Sequence, residues 1–186
     1  MDTVPMPRAE EFEVFLSYWR ELQVAETPVP QRQTFNPMRL KGLLPFVFLI
    51  EVRAPDDLHV RLSGTALDAA FHGQMSGHNF LDLCDPAERG FYGKLAGDIC
   101  RQPCGVRLIR RTTFQDGKTH DLREMGLPLA SRDGDIRYII GLLSVRSDHV
   151  TGEPKVMELK QSHVRTVQYI DLGYGVPPSV SEGSVV

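Results

Sequence analysis

No apolar run in these 186 residues approaches the ~20 that a bilayer-spanning helix needs, so no membrane segment is expected. The first residues, Met1-Asp2-Thr3-Val4-Pro5, carry neither a basic n-region nor an apolar h-region and do not read as a secretory signal. Charge of one sign is also missing. With 21 Lys+Arg against 24 Asp+Glu, the formal net charge of −3 offers no field to recruit nucleic acid or an anionic membrane. Cysteine is scarce, and three is an odd number, which argues against a disulfide framework. Cys100 and Cys104 stand four apart around the helix-breaking Gln102-Pro103. No second Cys/His pair at zinc-like spacing joins them, so no metal site is expected. Gly-x-Ser-x-Gly, P-loop and His-Glu-x-x-His motifs are all absent, and no catalytic residue is assigned. These absences leave a cytoplasmic, non-enzymatic globular protein, with room for one domain plus extensions.

What is present is a pattern of strands. Phe46-Val47-Phe48-Leu49-Ile50-Glu51-Val52 is apolar on both faces, as a strand buried in the middle of a sheet must be. Leu58-His59-Val60-Arg61-Leu62-Ser63-Gly64-Thr65 alternates, which suits an edge strand, and Pro55-Asp56-Asp57 turns between the two. Val106–Phe114, Thr119–Leu129 and Ile136–Val145 form a meander joined at Asp116-Gly117 and Asp133-Gly134, both strong hairpin signals. Arg107, Arg110 and Arg111 load the first of these with charge, as on a guarded sheet edge. Tyr138–Leu143 is again apolar on both faces and belongs beside the Phe46 run, with Pro128 where the middle strand leaves its ladder.

Helices fill the intervals. Arg8 to Val24 carries Phe12, Phe15, Leu16, Trp19 and Leu22 on one stripe, widened by Val14 and Tyr18. Such a helix either lies in a groove of its own domain or is shared with a second subunit. In the second case Phe12, Phe15, Tyr18, Trp19 and Leu22 form a dimer interface. Asn36-Pro37 opens a short helix that stops before Pro45. Thr65 can cap another through His72, Asn79 starts a single turn over Phe80–Leu83, and Asp85-Pro86 opens a third. This third helix carries Phe91, Leu95 and Ile99, with Tyr92 and Ala96 beside them, and Gly90, Gly93 and Gly97 weaken it. The order of elements predicts an α+β fold. Its five-stranded antiparallel sheet has the order 2-1-5-4-3, with short helices on one face and the N-terminal helix on the other. Residues 154–167 read as helix or extended chain, and Val164, Thr166, Gln168 and Ile170 suggest an exposed arm.

Residues 19–146 resemble a bacterial PAS-like family. The matching pattern includes Trp19-Arg20, Pro30, Phe35-Asn36-Pro37, Leu40 through Val52 and Arg61-Leu62-Ser63-Gly64-Thr65. It continues through Phe71-His72-Gly73, Ser76-Gly77-His78, Phe80-Leu81-Asp82, Leu127-Pro128-Leu129-Ala130 and Asp133-Gly134. His78 stands where the family carries arginine or lysine. The resemblance implies a sensory or protein-interaction module that holds a small molecule between sheet and helices and dimerises through flanking helices. It names no cofactor. Residues 1–30 would be the flanking, dimerising helix, 31–147 the PAS-like domain and 148–186 a partly flexible extension.

The expected ligand pocket comprises Phe71, His72, Phe80, Tyr92, Leu95, Met125 and Glu124. A haem would need His72 or His78. Cys84 reads as a small buried hydrophobe. On the fourth strand, Arg123 and Glu124 cannot both face inward. Glu124 is either half of a cross-strand ion pair with Arg61 or Arg107 on a solvated face, or a polar anchor in the pocket. The expected function is ligand or partner-protein sensing by a homodimer, with relay through the N-terminal helix. Two alternatives are a small cone-shaped α+β enzyme using a cavity carboxylate such as Glu124, and a scaffold that binds only protein.

Overall fold

The computed structural model describes residues 7–178 except 25, 26, 28, 72, 146, 151, 152 and 157, and the backbone alone at 147–150 and 153–156. Its strands in chain order are β1 (Val47–Ala54), β2 (Asp57–Ser63), β3 (Cys104–Phe114), β4 (Thr119–Ala130), β5 (Ile136–Leu143), β6 (Ser147–Val150), β7 (Glu153–Val156) and β8 (Leu159–Asp171). The two runs that are apolar on both faces lie side by side. β1 pairs antiparallel with β5 from Val47↔Leu142 to Glu51↔Tyr138, at the centre of the sheet. Gly117 and Gly134, with φ of +80° and +95°, occupy the turns of the meander, where a side chain would be strained.

Among the described residues the sheet has six strands in the order β2-β1-β5-β4-β3-β8, and β6-β7 form a separate hairpin. The expected five-strand order is therefore present, with one strand added. Val164, Thr166, Gln168 and Ile170, expected on an exposed arm, lie instead within β8, which pairs along the whole of β3 from Phe114↔Leu159 to Cys104↔Asp171. The physical reason is that β3 has a second row of backbone donors and acceptors that a partner strand satisfies. β3 is thus an interior strand, and its arginines are not edge guards. Arg107 reaches Glu13 at 2.6 Å, Arg111 holds Asp121 on β4, and Arg110 is buried.

Among the described residues four α-helices flank the sheet: α1 (Ala9–Glu21), α2 (Thr65–Ala70), α3 (Phe80–Leu83) and α4 (Arg89–Arg101). The α1 stripe is buried at Phe12, Phe15, Leu16, Tyr18 and Trp19, while Val14 stands exposed. The Trp19 indole donates to the carbonyl of Pro128 at 2.7 Å, just past Gly126, the last β4 residue paired with β3. A 3₁₀ segment, Pro37–Phe46, starts as expected, with the Asn36 side chain accepting from the Met38 amide at 3.0 Å. It runs through Pro45 rather than stopping before it, because the turn is reset at Leu40, whose backbone is non-helical. α2 is capped by Gly64, not Thr65, and ends at Ala70. A Cβ at Gly64 would lie 2.3 Å from the carbonyl oxygen of Pro45, so no side chain fits at that cap.

Asp85 accepts from the Ala87 amide at 2.9 Å and opens a single 3₁₀ turn, Pro86–Glu88, that leads into α4. α4 buries Tyr92, Leu95, Ala96 and Ile99. Gly93 explains how closely α4 approaches the β1–β2 turn, since a Cβ there would sit 2.1 Å from the carbonyl oxygen of Pro55. A Cβ at Gly97 would meet nothing within 4 Å among the described residues beyond its own helix. In an unobstructed helix either Gly→Ala change stabilises by up to about 1 kcal/mol. Gly97→Ala should therefore raise Tm by about 2–4 °C, whereas Gly93→Ala should lower it, as read in parallel thermal melts. Equal effects from the two would refute the close contact.

Candidate ligand-binding site

Between the sheet and helices α2 and α3 lies a cavity of about 30 Å³, room for one or two waters. Its walls are Phe48, Ile50, Val60 and Leu143 from the sheet and Leu67, Phe71, Met75 and Phe80 from the helical layer. Two charged side chains complete it, Arg110 and Glu124. Arg110 and Phe71 also line an outer cleft of about 400 Å³, whose other walls are the Leu83–Pro86 corner and residues 159–162 of β8. Arg110 and Phe71 thus stand between an enclosed apolar space and an open polar one.

Strand alternation puts Arg110 there. It shares parity with Val106, Leu108, Thr112 and Phe114, all buried, while Arg107 and Arg111 point the other way and are partly exposed. An unpaired guanidinium at this depth would be very costly, and the neighbours compensate it. Arg110 Nη1 donates to Glu124 Oε2 at 3.3 Å and Nε donates to Ser162 Oγ at 3.1 Å. Its Cζ lies 5.5 Å from the centre of the Tyr92 ring, a cation–π distance. Tyr92 in turn meets Phe80 edge-on, with ring centroids 5.0 Å apart.

Glu88 joins the cluster from the start of α4. The β3–β8 register slips at this level, from Ile109↔Thr166 to Arg110↔Val164, so Arg165 is an extra residue on β8. The Val164 amide donates to Glu88 Oε1 at 2.6 Å. Glu88 Oε2 and the Tyr92 hydroxyl are buried without a partner among the described residues.

Burial works against ionisation throughout. It pushes the Glu124 carboxyl up, with Glu88 adding to the shift, and Arg110 only partly offsets this. Burial also raises the Tyr92 hydroxyl far above its ordinary range, so it stays protonated. Arg110 itself loses hydration, but Tyr92, Glu124 and Glu88 outweigh that loss and hold it firmly charged. Cys84, half-buried beside this cluster, has its thiol raised by burial, which leaves it a poor nucleophile. Cys100 and Cys104 are both pushed up to about 11, again chiefly by burial. All three are free thiols, and no group of three or more metal-ligating side chains occurs among the described residues.

Of the expected pocket residues, Phe71, Phe80 and Glu124 line the inner cavity, and Tyr92 lies against both Phe80 and Arg110. Leu95 is buried one turn along α4 and lines neither space. Met125 has the opposite parity to Glu124 and belongs to the other face. There it lines a separate groove of about 240 Å³ with Phe12 and Glu13 of α1. His72 lies outside the described residues, and the His78 side chain is exposed. Phe12, Phe15, Tyr18 and Trp19 are buried within this same chain, and Leu22 is half-buried. Glu124 is ion-paired and pocket-lining at once, with Arg110 as partner rather than Arg61 or Arg107. Arg110, Glu88 and Ser162 were not among the residues expected from the sequence.

The sequence model of a family described as PAS domain matches residues 8–144, so the chain belongs to that family. The match takes in all of α1 and ends with β5, leaving β8 outside it. No curated protein matches the chain. Solved structures similar to it include VqmA bound to DPO, at 12% identity and TM-score 0.45 over 57% of this chain and 54% of that one. A Vibrio cholerae VqmA dimer without target DNA gives 12% identity and 0.45 over 57% and 49%. A Vibrio cholerae VqmA–ligand–DNA complex gives 11% and 0.45 over 63% and 55%. The chain spans about half the length of these neighbours.

Proposed function

We propose that this PAS module is a non-enzymatic sensor that takes a small molecule between its sheet and helices α2 and α3. The observation that carries this is the buried Arg110–Glu124 pair set in the wall of an otherwise apolar cavity and reachable from an open cleft. Few polar groups in an apolar recess orient a small ligand, and their burial makes them sensitive to what displaces water around them. Glu124 has the raised carboxyl that an enzyme of the cone-shaped type would use as a base. The short helices here follow strand two, however, rather than forming long helices ahead of the sheet, and the carboxylate is engaged by Arg110. A protein-only scaffold would not need the outer cleft.

Relay through α1 and pairing with a second copy or a signalling partner complete the proposal. Glu124 faces the cavity, while its neighbour Met125 lines a groove with Phe12 of α1, so a shift of β4 at the pocket has a short route to the helix. The outer face of α1, with Val14 exposed, is uncovered among the described residues and open to another subunit. Native mass spectrometry of the purified protein reads subunit number and retained small molecule together. The expected result is a dimer mass with a non-covalent adduct lost in Phe80→Trp, a variant that fills the cavity. A bare monomer at every concentration, with no compound from a fragment library raising its Tm, would sink the proposal.

A further inference from the structure

The outer cleft is built half from the PAS-matched region and half from a strand beyond it. Residues 159–162 of β8 face the Leu83–Pro86 corner across the cleft, with Arg110 between them. Two bonds from the buried cluster hold β8 in place at this level: Arg110 Nε to Ser162 Oγ, and the Val164 amide to Glu88 Oε1. Ser162 is further engaged by Thr112 at 2.8 Å. Val164 is the one side chain of β8 that is fully buried, and Leu159 at this end packs partly buried against the core. We infer that the ligand site extends onto β8 and takes a small uncharged amphipathic molecule, its apolar end at Phe71 and its hydrogen-bonding end at Arg110 and Ser162. This rests on reading the cavity and cleft as a ligand site.

The charge balance selects the class. Arg110 already pairs with Glu124 and lies in the field of Glu88, so an anionic ligand would have to displace one carboxylate and meet the repulsion of the other. A cation would be set against Arg110, the charge that lines both spaces. On the rim, Lys160 and Asp85 are of opposite sign and favour neither. A neutral carbonyl or hydroxyl can accept from the guanidinium without displacing its partners. Phe71, shared by the two spaces, is the side chain that must turn for the apolar end to enter, because the inner cavity alone holds no more than a water or two. Because β8 is part of the wall, a bound molecule stabilises its docked state, and docked β8 raises the affinity by the same factor.

Benzamide, benzoate and benzamidine share one shape and differ in charge, and they test the class directly. Titrated separately into the full chain and followed by ligand-observed NMR, benzamide is expected to bind at millimolar concentration, with the two ions at least tenfold weaker. Hydrogen exchange tests the role of β8. Benzamide should slow exchange across 159–171 while leaving β1 and β5 unchanged, and Ser162→Ala should weaken benzamide and speed exchange in 159–171 alone. Equal binding of all three probes overturns the ligand class. Binding of benzamide with β8 exchange unmoved, and with Ser162→Ala indistinguishable from the parent, overturns the part assigned to β8. If none of the three binds, the cavity is not the ligand site and the underlying reading fails. In that event the Ser162→Ala exchange pattern still reports whether the cluster holds β8.

Discussion

Arg110→Met is expected to destabilise the fold by about 3–5 kcal/mol in urea or thermal unfolding, the cost of stranding a buried charge without its partner. Glu124 pairs with this guanidinium and Glu88 lies within its electrostatic reach, so removing it leaves one buried carboxylate unpaired and a second less compensated. A shape-matched apolar side chain restores the volume, so the loss is electrostatic rather than a cavity effect. The deficit should also depend on pH in a stated direction. The Glu124 carboxyl is already raised in the folded chain by burial, and without Arg110 it rises further. A group raised on folding costs nothing below its unfolded value, about 4.3 for glutamate, where both states are protonated. The cost grows as pH climbs through the folded value. The difference between parent and Arg110→Met should therefore shrink from pH 7 towards pH 5. Adding Glu124→Leu should recover part of the loss at pH 7, because it removes the carboxylate left unpaired. A pH-independent deficit, or no rescue, would mean that Arg110 acts through packing alone.

The burial of Arg110 was hidden by its setting, because three arginines within five residues suggest an exposed edge. Parity separates them. Val106, Leu108, Arg110, Thr112 and Phe114 are one face of β3, and the apolar members of that set mark it as the buried one. The same reasoning extends the α4 stripe backward, because Glu88, Tyr92, Leu95 and Ile99 recur at helical spacing and all are buried. It also keeps Met125 out of the inner cavity that Glu124 lines. The centre of the sheet was plain because two runs apolar on both faces have only each other to lie against. β8 was not plain. Lys160, Gln161, His163, Arg165 and Gln168 keep most of the strand polar, and its pairing is dictated by the open edge of β3 more than by its own pattern. A bulge at Arg165 shifts the alternation midway, which hides the period that marks a strand.

Trp19→Ala is expected to cost about 3–5 kcal/mol, the range for deleting a large aromatic from a closed core. Trp19 is fully buried on the α1 face of the sheet, and its indole is the donor for the Pro128 carbonyl, beyond the end of the β3 ladder. Trp19→Phe separates the two contributions. It keeps most of the apolar volume and leaves the carbonyl unmet, so about 1–3 kcal/mol should be lost through that one bond. Both values come from urea unfolding, with sedimentation at matched concentrations as the second readout. The pairing of readouts matters because the same stripe of Phe12, Phe15, Tyr18, Trp19 and Leu22 suits a contact between subunits. If Trp19 locks α1 to its own sheet, unfolding shifts at every protein concentration and the shift does not depend on dilution. If it instead joins two copies, Trp19→Ala leaves dilute-solution stability near that of the parent and abolishes association. With the indole on Pro128 of its own chain, the concentration-independent loss is the expected result.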